Sequence, residues 1–265
     1  MFYPKIVIKI GTSTIQSNNH LNENIMIDLA QQIHYLKIVG HKIVLVSSGA
    51  IACGKHYISN LPSWEQKIGL QALACLGQPD LINKWKIIFS QLGVVVGQLL
   101  YENYDFLENN KNYRSTQVCL EDLLGLNFLP IVNENDAVTR SEINEMRSFG
   151  DNCQLALCVA KMIGANLNIM LTSVDGYLDQ NNQVIPEIEN VACYYNKASN
   201  QPKSAEGTGG IIAHLKAAQN AQQNNITTII ANGNRKNILL DIVQSLQCSD
   251  YQKQHPFTII RPLKS

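Results

Sequence analysis

Two short β-branched runs, each ended by a glycine turn, constrain the fold of this chain more than any other feature. The first is Lys5 to Thr14 (KIVIKIGTST), and the second is Lys42 to Ala50 (KIVLVSSGA). Between them Ile25, Leu29, Ile33 and Leu36 recur at helical spacing, and Gly40 is well placed to end that helix. Strands that alternate with helices are typical of an α/β fold whose parallel sheet is covered by helices on both faces.

The rest of the chain continues the alternation of strands and helices. Apolar runs predict further strands at 94–96, 128–132, 167–171, 226–230 and 257–260. Helices are predicted at 63–73, 81–92, 118–124, 152–163, 211–223 and 237–246. Gly77 and Pro79 predict a break between the first two of these helices. Ala137 to Phe149 has mixed charge and no apolar period, which predicts a mobile lid.

A lysine, Lys9, lies near the end of the first apolar run, where a charge is costly unless it reaches an anion or water. In open α/β sheets, ligands bind at the carboxyl ends of the strands, so Lys9 could bind a phosphate group there. Gly11, which has no side chain, would let the backbone approach that ligand closely. The alternative from this stretch alone is a strand-end lysine whose ammonium group extends to solvent.

Composition narrows the classes of function. The 265 residues have a formal net charge of zero, so no global field attracts nucleic acid or an anionic membrane surface. No apolar run is long enough to span a bilayer, and the N-terminus lacks the basic start and cleavage site of a signal peptide. The seven cysteines are scattered without a CxxC pair, which argues against a zinc site and predicts a reducing, cytoplasmic location.

Two polar stretches are candidate ligand sites. Asn133 to Asp136 directly follow a predicted buried strand, where they could grip an amine or hydroxyl group or could simply cap a loop through Asx turns. Gly207 to Gly210 precede a helix, whose N-terminal N–H groups and dipole can hold phosphate. The latter is not a Walker motif, because GxxxxGK[ST] is absent.

Five stretches together resemble the glutamate 5-kinases of the amino acid kinase family. They are 7–13 (VIKIGTS), 46–54 (VSSGAIACG), 132–138 (VNENDAV), 150–152 (GDN) and 207–218 (GTGGIIAHLKAA). The positions of Gly77 and Gln78, and of 96–98 (VGQ), also fit the family pattern. The resemblance covers nearly the whole chain in the correct order, to about Gln247.

The resemblance implies a three-layer αβα sandwich with an eight-stranded, mostly parallel sheet. It implies one kinase domain over 1–265, with a glutamate-binding half at about 1–165 and a nucleotide-binding half at about 166–265. The implied reaction uses ATP and Mg²⁺ to phosphorylate the side-chain carboxylate of L-glutamate, the first step of proline synthesis. It further implies a homo-oligomer (dimer or tetramer), a functional link to glutamyl phosphate reductase and feedback inhibition by proline.

Site roles are carried over by the same resemblance. Catalytic positions are Lys9, Asp151 and His214. Glutamate-binding positions are Ser48, Gly49, Ala50, Asn133, Asp136 and Asn152, and the backbone N–H groups of Gly11, Ser48 and Gly49 are expected to help bind phosphate and glutamate. Nucleotide-binding positions are Lys9, Gly11, Thr172, Ser173, Gly207, Thr208, Gly209, Gly210 and Ile211. No protein metal ligand is expected.

The departures from the family pattern fall at the catalytic centre. The family usually reads GDND, with a second aspartate that organises two catalytic lysines, and here that position is Cys153. The second lysine is replaced by His214, and the TD pair is Thr172-Ser173. Lys216 is two residues further along the helix, a rotation of about 200°, and is expected to point away. The alternative function is therefore a catalytically impaired homologue that binds glutamate or nucleotide and acts by association. The chain also ends at Ser265 without the RNA-binding-like (PUA) module of many members.

Overall fold

The computed structural model describes residues 4–17, 20–59, 61–62, 68–106, 111–138, 152–194, 211–247 and 256–263. The strands are β1 Lys5–Ile10, β2 Gln16–Ser17, β3 His20–Leu21, β4 Lys42–Ser47, β5 Val96–Tyr101, β6 Leu129–Glu134, β7 Leu167–Thr172, β8 Glu187–Ile188, β9 Thr227–Asn232 and β10 Phe257–Ile260. The α-helices are α1 Thr12–Ile15, α2 Glu23–Ile38, α3 Ala50–Ile58, α4 Leu70–Gln91, α5 Lys111–Gly125, α6 Asn152–Ile163, α7 Ile211–Gln223 and α8 Ile238–Gln247. Short 3₁₀ turns occupy Asn103–Phe106 and Val191–Tyr194.

One eight-stranded sheet organises these elements, and β2 and β3 form a separate small hairpin. The strand order of the large sheet is β5-β6-β4-β1-β7-β9-β10-β8. Every pairing in it is parallel except that of β9 with β10, which is antiparallel. The predicted α/β class and mostly parallel sheet are confirmed.

The central strands are buried because helices cover both faces of the sheet. Alternate residues of β1 show this: Ile6 and Ile8 lie in a core with α2, α4 and α8, whereas Val7 lies in a core with α5 and α6. This two-sided burial explains why these strands read as continuous apolar runs rather than alternating ones. The result is the predicted three-layer αβα sandwich.

Helix α4 is where the sequence-based expectation was wrong. The helix runs unbroken from Leu70 to Gln91 with Pro79 inside it, rather than as two helices. Gly77 lies against α3, where a Cβ atom would overlap the Ala50 carbonyl oxygen and the Gly54 amide nitrogen. The glycine therefore serves close helix packing rather than ending the helix.

Smaller corrections concern element boundaries. Helix α5 begins at Lys111, seven residues before the predicted start, and a 3₁₀ turn precedes it at Asn103–Phe106. The 187–194 stretch, for which no element was predicted, holds β8 and a second 3₁₀ turn. The predicted helix start at Ser63, the predicted catalytic position Asp151, the lid beyond Val138 and the Gly207–Gly210 loop lie outside the described residues. None of the helices within the described ranges is long and apolar enough to cross a membrane.

Candidate active site at the carboxyl edge of the sheet

Four adjacent strands bring the predicted site residues to one edge of the sheet. Strands β6, β4, β1 and β7 are neighbours and mutually parallel, so their carboxyl ends lie side by side. These ends carry Asn133, Ser48, Lys9 and Thr172, respectively. Residues far apart in the chain therefore meet where ligands bind in open α/β sheets.

Lys9 is the buried cation of this edge. The residue is only 6% exposed, and its neighbours in register are Val46 on β4 and Met170 on β7. Its Nζ lies 3.4 Å from the point where a Cβ atom of residue 11 would be, so the glycine at 11 leaves the ammonium room. Among the described residues, no carboxylate lies within ion-pair distance of Lys9. The alternative of a lysine that extends to solvent does not fit this burial.

A chain of side-chain hydrogen bonds joins three of the predicted glutamate-binding residues. Asn152 Nδ2, at the start of α6, donates to Ser48 Oγ at 2.7 Å and to Asn133 Oδ1 at 3.0 Å. Asn133 Nδ2 in turn donates to Gln78 Oε1 of α4 at 2.8 Å. Asn152 Oδ1 is buried without a hydrogen-bond partner within the described ranges. An oriented acceptor of this kind can accept from a ligand ammonium group or amide.

The turn after β4 has the backbone that only glycine adopts readily. Gly49 has φ of +118° and directly precedes α3, whose first residue is Ala50. Gln16 of the small hairpin donates to the Gly49 carbonyl oxygen at 3.3 Å, so the hairpin supports the turn. Beneath the turn, Trp85 Nε1 donates to Ser47 Oγ at 2.9 Å.

Two of the backbone donors predicted to bind ligand are already engaged. The Gly11 N–H donates to the Leu171 carbonyl oxygen at 3.1 Å, and the Ser48 N–H donates to the Ile10 carbonyl oxygen at 3.1 Å. Both N–H groups thus hold neighbouring strand ends together, and their contact with phosphate or glutamate stays a prediction. The Ser48 hydroxyl group accepts from Asn152 Nδ2, and the absence of a side chain at Gly11 leaves space beside the ammonium of Lys9.

Two acidic side chains lie at the carboxyl end of β6, Glu134 as its last residue and Asp136 just beyond it. Glu134 is buried and Asp136 is half-buried. Burial raises the pKa of the Asp136 carboxyl, because the charged form loses hydration there. A cationic ligand group that approached Asp136 would favour the ionised form and reverse this cost.

On the other side of Lys9, β7 and β9 end in a second polar cluster. Thr172 is buried and Ser173 is exposed. Asp175 accepts from Arg235 at 2.7 Å through each carboxylate oxygen, and from Asn232 Nδ2 at 3.0 Å. The hydrogen bond from Arg235 lowers the pKa of the Asp175 carboxyl. This cluster was not predicted; the only sequence signal for it was the Asp175-Gly176 turn behind Thr172.

One of the positions that depart from the family pattern, Cys153, packs against Met170, the neighbour of Lys9 in register on β7. Cys153 is fully buried and packs with Met170 of β7 and Ala217 of α7. His214, one turn before Ala217, is buried on the same helix, whereas Lys216 is exposed. Lys216 thus points away, as the helical rotation predicted. An apolar cluster occupies the place where the family pattern has a carboxylate.

The predicted site residues divide into three groups. The structure brings together Lys9, Ser48, Asn133 and Asn152, with Gly11, Gly49, Ala50, Asp136 and Thr172 at the same edge. His214 and Ile211 begin α7, and Ser173 follows β7. Asp151, Gly207, Thr208, Gly209 and Gly210 lie outside the described residues. Gln78 was noted only as a fitting position, and its hydrogen bond to Asn133 gives it a place in the site.

Comparison of the sequence with known proteins shows what this chain is similar to. Residues 4–232 match the model of the amino acid kinase family. A glutamate 5-kinase of Listeria welshimeri is 36% identical over 260 residues, covering 92% of this chain and 90% of that protein. A glutamate 5-kinase of Haemophilus influenzae is 34% identical over 244 residues, covering 89% of this chain and 65% of that protein.

Among solved structures, a UMP kinase from Ureaplasma parvum superimposes with a TM-score of 0.64 at 15% sequence identity. The match covers 97% of this chain and 99% of that one. At this identity the likeness supports the fold, and function must be argued from the site itself.

Proposed function

Because the chain belongs to the amino acid kinase family, and its similar curated relatives are glutamate 5-kinases, we propose that it is a glutamate 5-kinase. The proposed reaction transfers the γ-phosphoryl group of ATP to the side-chain carboxylate of L-glutamate. The products are L-glutamyl 5-phosphate and ADP, and the reaction is the first step of proline biosynthesis. One observation supports this most: Lys9 is a buried cation with no carboxylate partner in the described part of the chain, and it lies at the same sheet edge as an oriented amide network.

Phosphoryl transfer needs positioning and positive charge more than covalent chemistry by the protein. In the proposed complex, the ammonium group of Lys9 donates to the oxygens of the moving phosphoryl group. Negative charge is present on those oxygens throughout the reaction, and a preorganised cation in a water-poor site stabilises it strongly. The anion also supplies the partner that the buried ammonium group needs.

Glutamate would bind on the β4 and β6 side of Lys9. Its α-ammonium group would donate to Asn152 Oδ1 and to the Asp136 carboxylate, both of which are acceptors. Ser48 Oγ and the turn at Gly49 and Ala50 would contact the rest of the amino acid. This arrangement directs the side-chain carboxylate of glutamate toward Lys9.

ATP would bind on the β7 and β9 side. Thr172, Ser173 and the loop at 207–210 are the proposed nucleotide contacts. The described residues contain no cluster of three or more His, Cys, Asp or Glu side chains that could hold a metal. Mg²⁺ is proposed to enter as the MgATP complex, because this ion keeps several waters and is commonly bound through substrate phosphates.

The two halves of the chain, divided near residue 165, are proposed to bind glutamate and nucleotide respectively. A homo-oligomer, a cytoplasmic location and a functional link with glutamyl phosphate reductase are also proposed, on the similarity to the family alone.

A hydroxamate assay tests the proposal directly. The purified protein is incubated with ATP, Mg²⁺, L-glutamate and hydroxylamine, which displaces phosphate from glutamyl phosphate and forms the hydroxamate, detected as its coloured iron(III) complex. We expect a glutamate-dependent product that is lost in Lys9→Met and retained in Lys216→Met, the exposed-lysine control. Glutamate binding without product, at every pH and divalent metal tried, would refute the kinase and support the catalytically impaired homologue.

A further inference from the structure

Gln78 closes the hydrogen-bonded chain that leads to the proposed glutamate site. Its Oε1 accepts from Asn133 Nδ2 at 2.8 Å, and Asn133 Oδ1 accepts from Asn152 Nδ2 at 3.0 Å. Asn152 Nδ2 also donates to Ser48 Oγ at 2.7 Å. The chain thus crosses from α4 through β6 to the first residue of α6.

The position of Gln78 is set by the packing of α4 against α3. Its neighbour Gly77 faces α3 so closely that a Cβ atom would overlap the Ala50 carbonyl oxygen, and Gly54 meets the Leu73 carbonyl oxygen in the same way. Two glycines therefore let the helices approach each other. The next residue along α4 is thereby held where its side chain reaches β6.

The chain of amides has a direction, because each carboxamide has one donor end and one acceptor end. Gln78 offers its acceptor to Asn133, so Asn133 must offer its own acceptor to Asn152. Asn152 then has its donor end committed to Asn133 and Ser48. Its acceptor, Oδ1, is left buried and without a partner among the described residues, available to a ligand donor.

We propose that Gln78 is a positioning residue for the α-ammonium group of L-glutamate, an inference that rests on the proposed function. By accepting from Asn133, Gln78 fixes the direction of the chain and so presents Asn152 Oδ1, rather than Nδ2, to the substrate. Reversal of the chain would present an N–H donor to an ammonium group, which is repulsive. Gln78 thus selects an amino acid over a dicarboxylate of the same length that lacks the amino group.

Two substitutions at Gln78 separate direction from packing. Gln78→Glu supplies an acceptor only, and so preserves the direction of the chain. Gln78→Met keeps the size of the side chain and removes the acceptor, which lets Asn133 and Asn152 turn over. Gln91→Met, at the exposed end of the same helix, is the matched control.

The measurements are kcat, the KM for L-glutamate and the inhibition constant of glutarate, which lacks the amino group. For Gln78→Met we expect KM to rise about tenfold or more, the size of a lost hydrogen bond to a charged group, with kcat within about threefold. The inhibition constant of glutarate should stay within about twofold. Gln78→Glu and Gln91→Met should keep KM within about threefold of the parent protein.

Unchanged KM in Gln78→Met would overturn the proposal, and so would an equal rise in KM in Gln78→Met and Gln78→Glu, which would indicate packing alone. If Gln78→Met does not fold, a tenfold rise in KM in Gln78→Glu is sufficient to overturn it. The rise in melting temperature caused by L-glutamate separates this inference from the kinase. A shift present in the parent and lost in Gln78→Met, without turnover in either, supports the role of Gln78 and refutes the kinase. A parent protein with neither shift nor turnover refutes both.

Discussion

Replacement of Lys9 by Met should stabilise the ligand-free protein and at the same time abolish its activity. Lys9 is buried, and the described residues offer its ammonium group no carboxylate. Methionine has nearly the same length and no charge to desolvate. Such a gain in stability from removing a functional group is expected where a site is built for its ligand rather than for folding.

The size of each effect follows from the surroundings of Lys9. Replacement of a buried ion pair by apolar groups of similar volume is often neutral or stabilising by about 1–4 kcal/mol. For this single cation, with 6% of the residue exposed, we expect ~1–3 kcal/mol. For a chain near this size, that corresponds to roughly 2–4 °C in melting temperature per kcal/mol. Turnover should fall at least ~10³-fold, the upper range for loss of one preorganised group at a transition state.

Lys37 provides the matched control, because it is buried to a similar extent but has acceptors. Its Nζ donates to the Asn127 carbonyl oxygen at 3.0 Å and to Asn127 Oδ1 and the Phe128 carbonyl oxygen at 3.3 Å each. Lys37→Met at pH 7 should therefore destabilise the protein, since buried oxygens lose their donor. Chemical denaturation measures the free energy of unfolding of both variants, and the hydroxamate assay measures their activity. A destabilised Lys9→Met that keeps a tenth of the activity would refute the reasoning.

Three further predictions follow from buried polar groups. Because burial raises the pKa of Asp136, the KM for glutamate should rise as the pH falls, and this rise should begin at a pH above the ordinary range of carboxyl pKa values. Asp136→Asn should raise KM about 10- to 100-fold at pH 7 and remove the pH dependence, as initial rates measured across pH would show. Burial and Lys42 lower the pKa of Lys37 to about 8, so the unfolded state binds more protons than the folded state between about pH 8 and 10.5. Over that range the free energy of unfolding of the parent protein should rise by up to ~3 kcal/mol relative to that of Lys37→Met, as urea titrations would show. Both proteins contain the buried cysteines, so the contribution of the cysteines to the pH dependence cancels. Asn168→Leu should raise the free energy of unfolding by ~1–3 kcal/mol, because both polar atoms of Asn168 are buried without partners in the described structure, and a loss of stability would mean that ordered water satisfies them.

The fold was predictable from sequence because its signals are local. Each central strand is a short apolar run bounded by small or polar residues, and the helices between them have a clear period. Helix α4 could not be predicted in the same way, because glycine and proline are read as breaks. The reason for Gly77 lies in the contact with Ala50 and Gly54 of another helix, which no local pattern contains.

The candidate site was predictable in its residues but not in its connections. The polar run after β6 and the lysine of β1 stand out in the sequence because polar groups at buried strand ends are unusual. The bonds that give them direction join Asn133 to Gln78 across 55 residues and Asn152 to Ser48 across 104. Similarly, engagement of the Gly11 and Ser48 N–H groups depends on which strands are neighbours. Only the folded sheet determines either.

Cys153 lies in an apolar cluster with Met170 and Ala217, at the position where the family pattern has an organising carboxylate. Met170 is also Lys9's neighbour in register, so an aspartate at 153 would lie close to the strand position of the ammonium group. Cys153→Asp combined with His214→Lys should therefore raise turnover, by up to ~10²–10³-fold if a second preorganised charge is recovered. His214→Lys alone should lower stability, because it adds a cation at a buried position. The two changes should thus be strongly non-additive in both stability and kcat, as a double-mutant cycle would show. Additive effects, or no gain in the double variant, would mean that these two positions do not share the site of Lys9, and that Lys9 acts with residues other than those of the family pattern.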